Sequence, residues 1–192
     1  MSTDIDIASS ALVLMGANTI SDFDGDSTEA IVAKNIYETI VEAAMTRTRW
    51  RFCTGQQTLS LLVDTPDGRW SYAYQMPTAP EALLLHGVTV NDNPINYDRY
   101  EDYIYCDEGS DSTVIADFTY RSATVDWPPY FKRAIIADLA GVFAGSIAQN
   151  GGLATHYTEH SEILYQKAQT IEAQTRTTKP LRARGLVTTR FR

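Results

Sequence analysis

Cysteine, histidine and positive charge are scarce in this 192-residue chain, and each scarcity narrows what the protein can be. The two cysteines, Cys53 and Cys106, lie far apart and each sits beside aromatic, strand-like residues. Such a pair reads as isolated core thiols, not as a disulfide framework or a metal site. No stretch approaches the roughly 20 apolar residues of a membrane span. The best candidate, 134–148, is interrupted by Asp138 and carries Gly141, Gly145 and Ser146, the composition of a buried helix. The N-terminus, Met-Ser-Thr-Asp-Ile-Asp, has acids where a secretory signal has basic residues, so we expect a protein made and folded inside the cell, with no membrane partner. With 16 Lys and Arg against 24 Asp and Glu, the net charge of −8 argues against a body that grips nucleic acid through its phosphates.

The charge is unevenly placed. Residues 178–192 carry Lys179, Arg182, Arg184, Arg190 and Arg192 and no acid, which leaves 11 basic against 24 acidic residues for the rest. A body at −13 thus ends in a tail at +5. Pro180 and Gly185 and the lack of a helical apolar pattern predict an extended arm, and Phe191 with Leu186 and Val187 suits a strand or anchor laid on a partner.

The body, 1–177, reads as one α+β domain: a bundle of about four helices with an antiparallel β insertion in the middle. Helices are expected at about 3–15, 27–48, 129–149 and 153–175, from apolar stripes such as Phe131, Ile135, Leu139 and Phe143, or Tyr157, Leu164, Ala168 and Ile171. Gly16 stops the first helix and Asn150-Gly-Gly152 the third. Arg47, Arg49 and Arg51 at the end of the second suit its dipole. Between 50 and 127 the pattern changes to short β-branched or aromatic runs, at 57–63, 70–75, 82–90, 103–106 and 114–121. Turn signals at Thr65-Pro-Asp-Gly68 and Asn91-Asp-Asn-Pro94 divide them. We expect four to six strands, rich in tyrosine.

Two motifs invite chemistry. Asp22, Asp24, Asp26 and Glu29 resemble the opening of a calcium loop, but Ser27 and Ala33 stand where that loop needs Gly and Glu. A helix cap, Asp26 with Glu29 three residues on, explains them more simply. His156-Tyr-Thr-Glu-His160 fits the His-x-x-Glu-His zinc pattern, with Glu159 as the base of a small zinc hydrolase. Such a site needs a third ligand, from His86, Glu162 or Glu172; otherwise the pair is two solvent-facing histidines on a helix. The sequence proposes no nucleophilic triad and no phosphate-binding glycine loop, and no catalytic residue or cofactor is assigned.

A resemblance covers most of the chain, about residues 5–175. Ala8-Ser-Ser-Ala-Leu-Val-Leu-Met-Gly-Ala17, then Ile20-Ser-Asp-Phe-Asp-Gly-Asp26, Thr48-Arg-Trp-Arg-Phe52, Tyr74-Gln-Met-Pro77 and Trp127-Pro-Pro-Tyr-Phe131 follow one another as in the head-to-tail adaptors of short-tailed, T7-like bacteriophages, the tail tubular protein A type. The resemblance implies a structural virion protein at the head–tail junction: a ring of twelve beneath the portal protein that extends the channel for genomic DNA. The ring would also bear the tail nozzle and fibres. In that setting the arm residues Lys179, Arg182, Arg184, Arg190, Phe191 and Arg192 would dock on protein. A nucleic-acid-binding module acting through the same arm is the other reading of those charges.

Overall fold

A computed structural model describes residues 3–63, 66 and 68–175. The arm at 178–192 lies outside the described residues, as does part of the turn expected at 65–68. The α+β architecture is as expected: two helices, α1 (Asp4–Leu14) and α2 (Thr28–Thr46), then a β segment, then α3 (Pro129–Ser146) and α4 (Gly151–Gln174).

Local chemistry sets the helix ends. Thr3 caps α1 in a capping box, its hydroxyl accepting from the Asp6 amide while the Asp6 carboxylate accepts from the Thr3 amide. At the other end Gly16 takes φ 83°; its amide donates to the Val13 carbonyl and that of Ala17 to Leu12, a Schellman closure that a left-handed glycine permits. For α2 the expected cap is corrected by one residue. Ser27, not Asp26, accepts from the Ala30 amide, so Glu29 falls on the second helical position and no reciprocal bond forms. The break after α3 is also corrected: the chain turns at Gln149 (φ 49°), Asn150 caps α4 by accepting from the Leu153 amide, and both glycines lie inside the first turn of α4.

Helix α3 is the centre of the bundle, touching α1, α2 and α4. Its Phe131, Ile135, Leu139 and Phe143 are fully buried and its small residues let α4 close in. Gly141 is the tightest point, where an added Cβ would lie 2.9 Å from Thr158 Oγ1 and 3.1 Å from the Thr158 amide nitrogen. Trp50 is buried beside Phe131, ring centroids 5.4 Å apart, and its indole N–H donates to the Ala44 carbonyl. In α4 the expected stripe holds at Leu164 and Ala168, whereas Ile171 is exposed and Glu172 is buried in its place.

The β segment differs from the single sheet of four to six strands expected. Among the described residues it forms eight strands in two four-stranded antiparallel sheets. One sheet orders β1 (Thr54–Thr58), β8 (Val114–Tyr120), β4 (Ala82–Val90) and β5 (Asn93–Pro94). The other orders β2 (Ser60–Leu61), β3 (Tyr72–Gln75), β7 (Tyr103–Cys106) and β6 (Asp98–Tyr100). The first strand, Thr-Gly-Gln-Gln-Thr, breaks at Leu59, which turns into the core, so one continuous segment supplies a strand to each sheet. Asn91 and Asp92, both at positive φ, form the two-residue loop from β4 to β5 that Val90 and Asn93 close. Phe118, Ala116 and Val114 of the first sheet pack with Tyr74, Ile104 and Cys106 of the second in a core separate from the helical one. Each cysteine is free and buried in its own core.

Candidate functional site

The histidine pair lies on α4 with ring centroids 6.1 Å apart, the spacing of one helical turn. His156 is exposed and His160 half-buried. None of the suggested third ligands is spare. His86 bonds Thr119 Oγ1 at 2.8 Å inside the first sheet, Glu162 pairs with Arg47, and Glu172 is buried among other donors. Among the described residues no three His, Cys, Asp or Glu side chains converge to hold a metal ion. Asp24 of the acidic turn pairs with Lys34 at 2.7 Å.

The histidines instead edge an open groove of about 650 Å³ between α3, α4 and the end of α1. Its floor is apolar, with Leu14, Ile136, Ala137 and Leu164, and its rim carries Lys132, Arg133, His156 and His160. The Tyr157 hydroxyl donates to the Leu14 carbonyl at 2.7 Å, pinning α1 to α4 at one end. Beside it Leu14 and Val13 remain about half exposed.

The three arginines expected at the end of α2 are corrected: none lies in its last turn, Arg47 is the C-cap, and all three make tertiary contacts toward α4 and the sandwich. Arg47 pairs with Glu162 and lies 4.5 Å over the Tyr165 ring. Arg49 reaches Asp117 of β8 at 2.8 Å, and the Arg51 amide donates to Glu172 Oε1 at 2.8 Å. Glu172 also accepts from the Tyr130 hydroxyl, and the Arg51 guanidinium donates to the Thr175 carbonyl. One buried carboxylate therefore ties α4 to α3 and to the turn that opens the sandwich. Burial, with the Glu172 charge second, pushes the Cys53 thiol up to about 12, so it stays a protonated core group. Burial lowers the pKa of His86, with Arg49 adding to the effect.

A second junction centres on Asp4, which accepts from the Tyr37 hydroxyl at 3.1 Å and from Thr124, with Arg121 at 3.4 Å. Arg121 also pairs with Glu38 at 2.6 Å and lies 5.2 Å over Trp127. Together these residues hold the return strand β8 to α1 and α2. Sequence reading missed both junctions, because their partners stand far apart in the chain.

The outer face of the second sheet gathers three of the tyrosines, Tyr100, Tyr103 and Tyr105, while Tyr74 is buried in the core. Ile104 and Cys106 point into the core, so Tyr103 and Tyr105 point out, opposite Tyr100 and Asp98 of β6. Tyr100 and Tyr105 meet edge to face at 5.6 Å. With Arg69 and Trp70 they border a hollow of about 540 Å³. Asp98 accepts from the Trp70 indole at 3.0 Å, from the Tyr100 hydroxyl at 3.2 Å and from Arg69.

No helix among the described residues is long and apolar enough to cross a membrane. Compared with protein-family models and with curated proteins, the chain matches none.

Proposed function

We propose that the chain is a structural subunit of a ring, the head-to-tail adaptor that stands between a phage portal and the tail nozzle. One observation carries the reading: the chain presents two chemically unlike surfaces. The groove between α3 and α4 is apolar with a basic rim, while the sandwich beyond the junction is acid-rich. Unlike, complementary surfaces on one subunit make head-to-tail contacts, and such contacts close into rings when the rotation permits. The stapled junctions at Glu172 and Asp4 suit a subunit that must hold its bundle and sandwich in one relative position. The count of twelve, the portal and nozzle as partners, and the place in the virion rest on the resemblance. An acidic body around the lumen would make few phosphate contacts and let DNA pass without sticking. The basic arm would reach a portal subunit or a neighbour, where repeated weak contacts give avidity.

Deletion of 178–192 tests this reading. The shortened chain should keep its helical circular dichroism and lose co-sedimentation with the portal. A deletion variant that joined the portal as well as the full chain would overturn the arm's assigned role.

A further inference from the structure

We propose that in the free protein the basic arm, Arg176–Arg192, docks on its own sandwich, with an arginine seated in the hollow of Trp70, Tyr100 and Tyr105 against Asp98. The inference does not depend on the adaptor reading, since it concerns the chain before any partner is present.

Three observations lead to it. The first is where the arm starts. The last residue described, Thr175, is held by Arg51, and Arg51 opens the short 3-10 turn that runs directly into β1. The described chain therefore ends at the base of the sandwich, and the arm continues from there. Its 17 residues span up to about 60 Å when extended, whereas a nine-residue strand such as β4 covers only about 30 Å.

Charge is the second. Between Gly68 and Tyr120 nine Asp and Glu stand against two arginines, and Glu101, Asp102 and Asp107 are exposed. The arm brings five arginines, one lysine and no acid. The groove between α3 and α4 is rimmed by Lys132 and Arg133, and the hollow beside β1 by Arg49 and Arg51, so both would repel it.

Third, the hollow already accepts this chemistry. The Arg69 guanidinium pairs with Asp98 and lies 5.2 Å from the Trp70 ring centroid, a cation over an aromatic face. Yet Arg69 is about two-thirds exposed, so solvent weakens its hold. An arginine of the arm, with Phe191 or Leu186 to cover the exposed Tyr100, can take its place. Tethering decides for the chain's own arm over a second copy. A segment tethered within reach has an effective concentration on the order of millimolar, above that of free subunits in dilute solution.

The test uses the full chain with Phe191 replaced by the photoreactive p-benzoylphenylalanine, irradiated at low micromolar concentration and mapped by mass spectrometry. The expected crosslinks fall within 68–75 and 98–107, in the monomer band, and drop about fivefold in 0.5 M NaCl as the charges are screened. Asp98→Asn and the surface variant Tyr100→Ala should each reduce them, while Arg69→Ala, which empties the hollow, should increase them. Crosslinks in the groove between α3 and α4, crosslinks confined to a dimer band, or none in the monomer would each overturn the proposal. So would an Arg69→Ala variant with fewer crosslinks.

Discussion

The Glu172 carboxylate and the Arg51 amide, 2.8 Å apart, join the end of the last helix to the first turn of the sandwich. Because Glu172 is buried and also receives the Tyr130 hydroxyl, its removal leaves two donors without an acceptor. Glu172→Ala should therefore cost about 2–4 kcal/mol of unfolding free energy. Glu172→Gln, which keeps one acceptor oxygen, should cost less. Urea denaturation of the three proteins checks the order, and equal stabilities would contradict the junction described.

Glycines on one helix should respond in opposite directions. At Gly141 an added methyl meets the Thr158 backbone, which cannot swing aside, so Gly141→Ala should destabilise by about 1–3 kcal/mol. At exposed Gly145 the nearest atom is the Ala154 Cβ at 3.8 Å, an ordinary contact. Gly145→Ala should then stabilise by about 0.5–1 kcal/mol through the helix backbone. Thermal melts of the two variants read the contrast directly.

Asp138 gives a pH dependence with a definite sign. Burial raises its pKa above the ordinary carboxylate value, opposed by the bond that the Tyr165 hydroxyl donates at 3.0 Å and by the Arg47 charge. A carboxyl that binds its proton more tightly when folded supports stability below its unfolded pKa, and that support is lost as pH rises through the higher folded value. Asp138→Asn, which still accepts from Tyr165, removes this dependence. Its stability relative to the parent should therefore rise between pH 4 and pH 7, measured by urea midpoints at each pH.

How much of this was legible in the sequence follows from how local each signal is. The four helices were legible because their stripes repeat every three or four residues, and β4 and β7 because their runs are bounded by turn residues. The second sheet was hidden at Leu59, where a continuous segment changes sheets without a Pro or Gly to punctuate it. Strands β5 and β6 are too short to show a period. The caps at Ser27 and Asn150 lie within one or two residues of the expected breaks, since neighbouring polar residues compete for the same amides. The site was less legible than the fold. The histidine pattern pointed to a metal, yet its partners are a groove floor made by Leu14, Ile136 and Leu164 from three helices. Arg47, Arg49 and Arg51 read as helix-end charges because Glu162, Asp117 and Glu172 lie far along the chain. Tyrosine density in the β segment was visible; that Tyr100, Tyr103 and Tyr105 share one outward face depended on a register that only the paired strands reveal.

Electron microscopy of the 192-residue chain mixed with the portal of a short-tailed phage, the partner proposed for it, tests the central claim most directly. The account predicts a closed ring of this chain stacked coaxially on the portal, with an open central channel. Portal rings that stay bare at saturating concentrations of the protein, with this chain remaining apart, would contradict it.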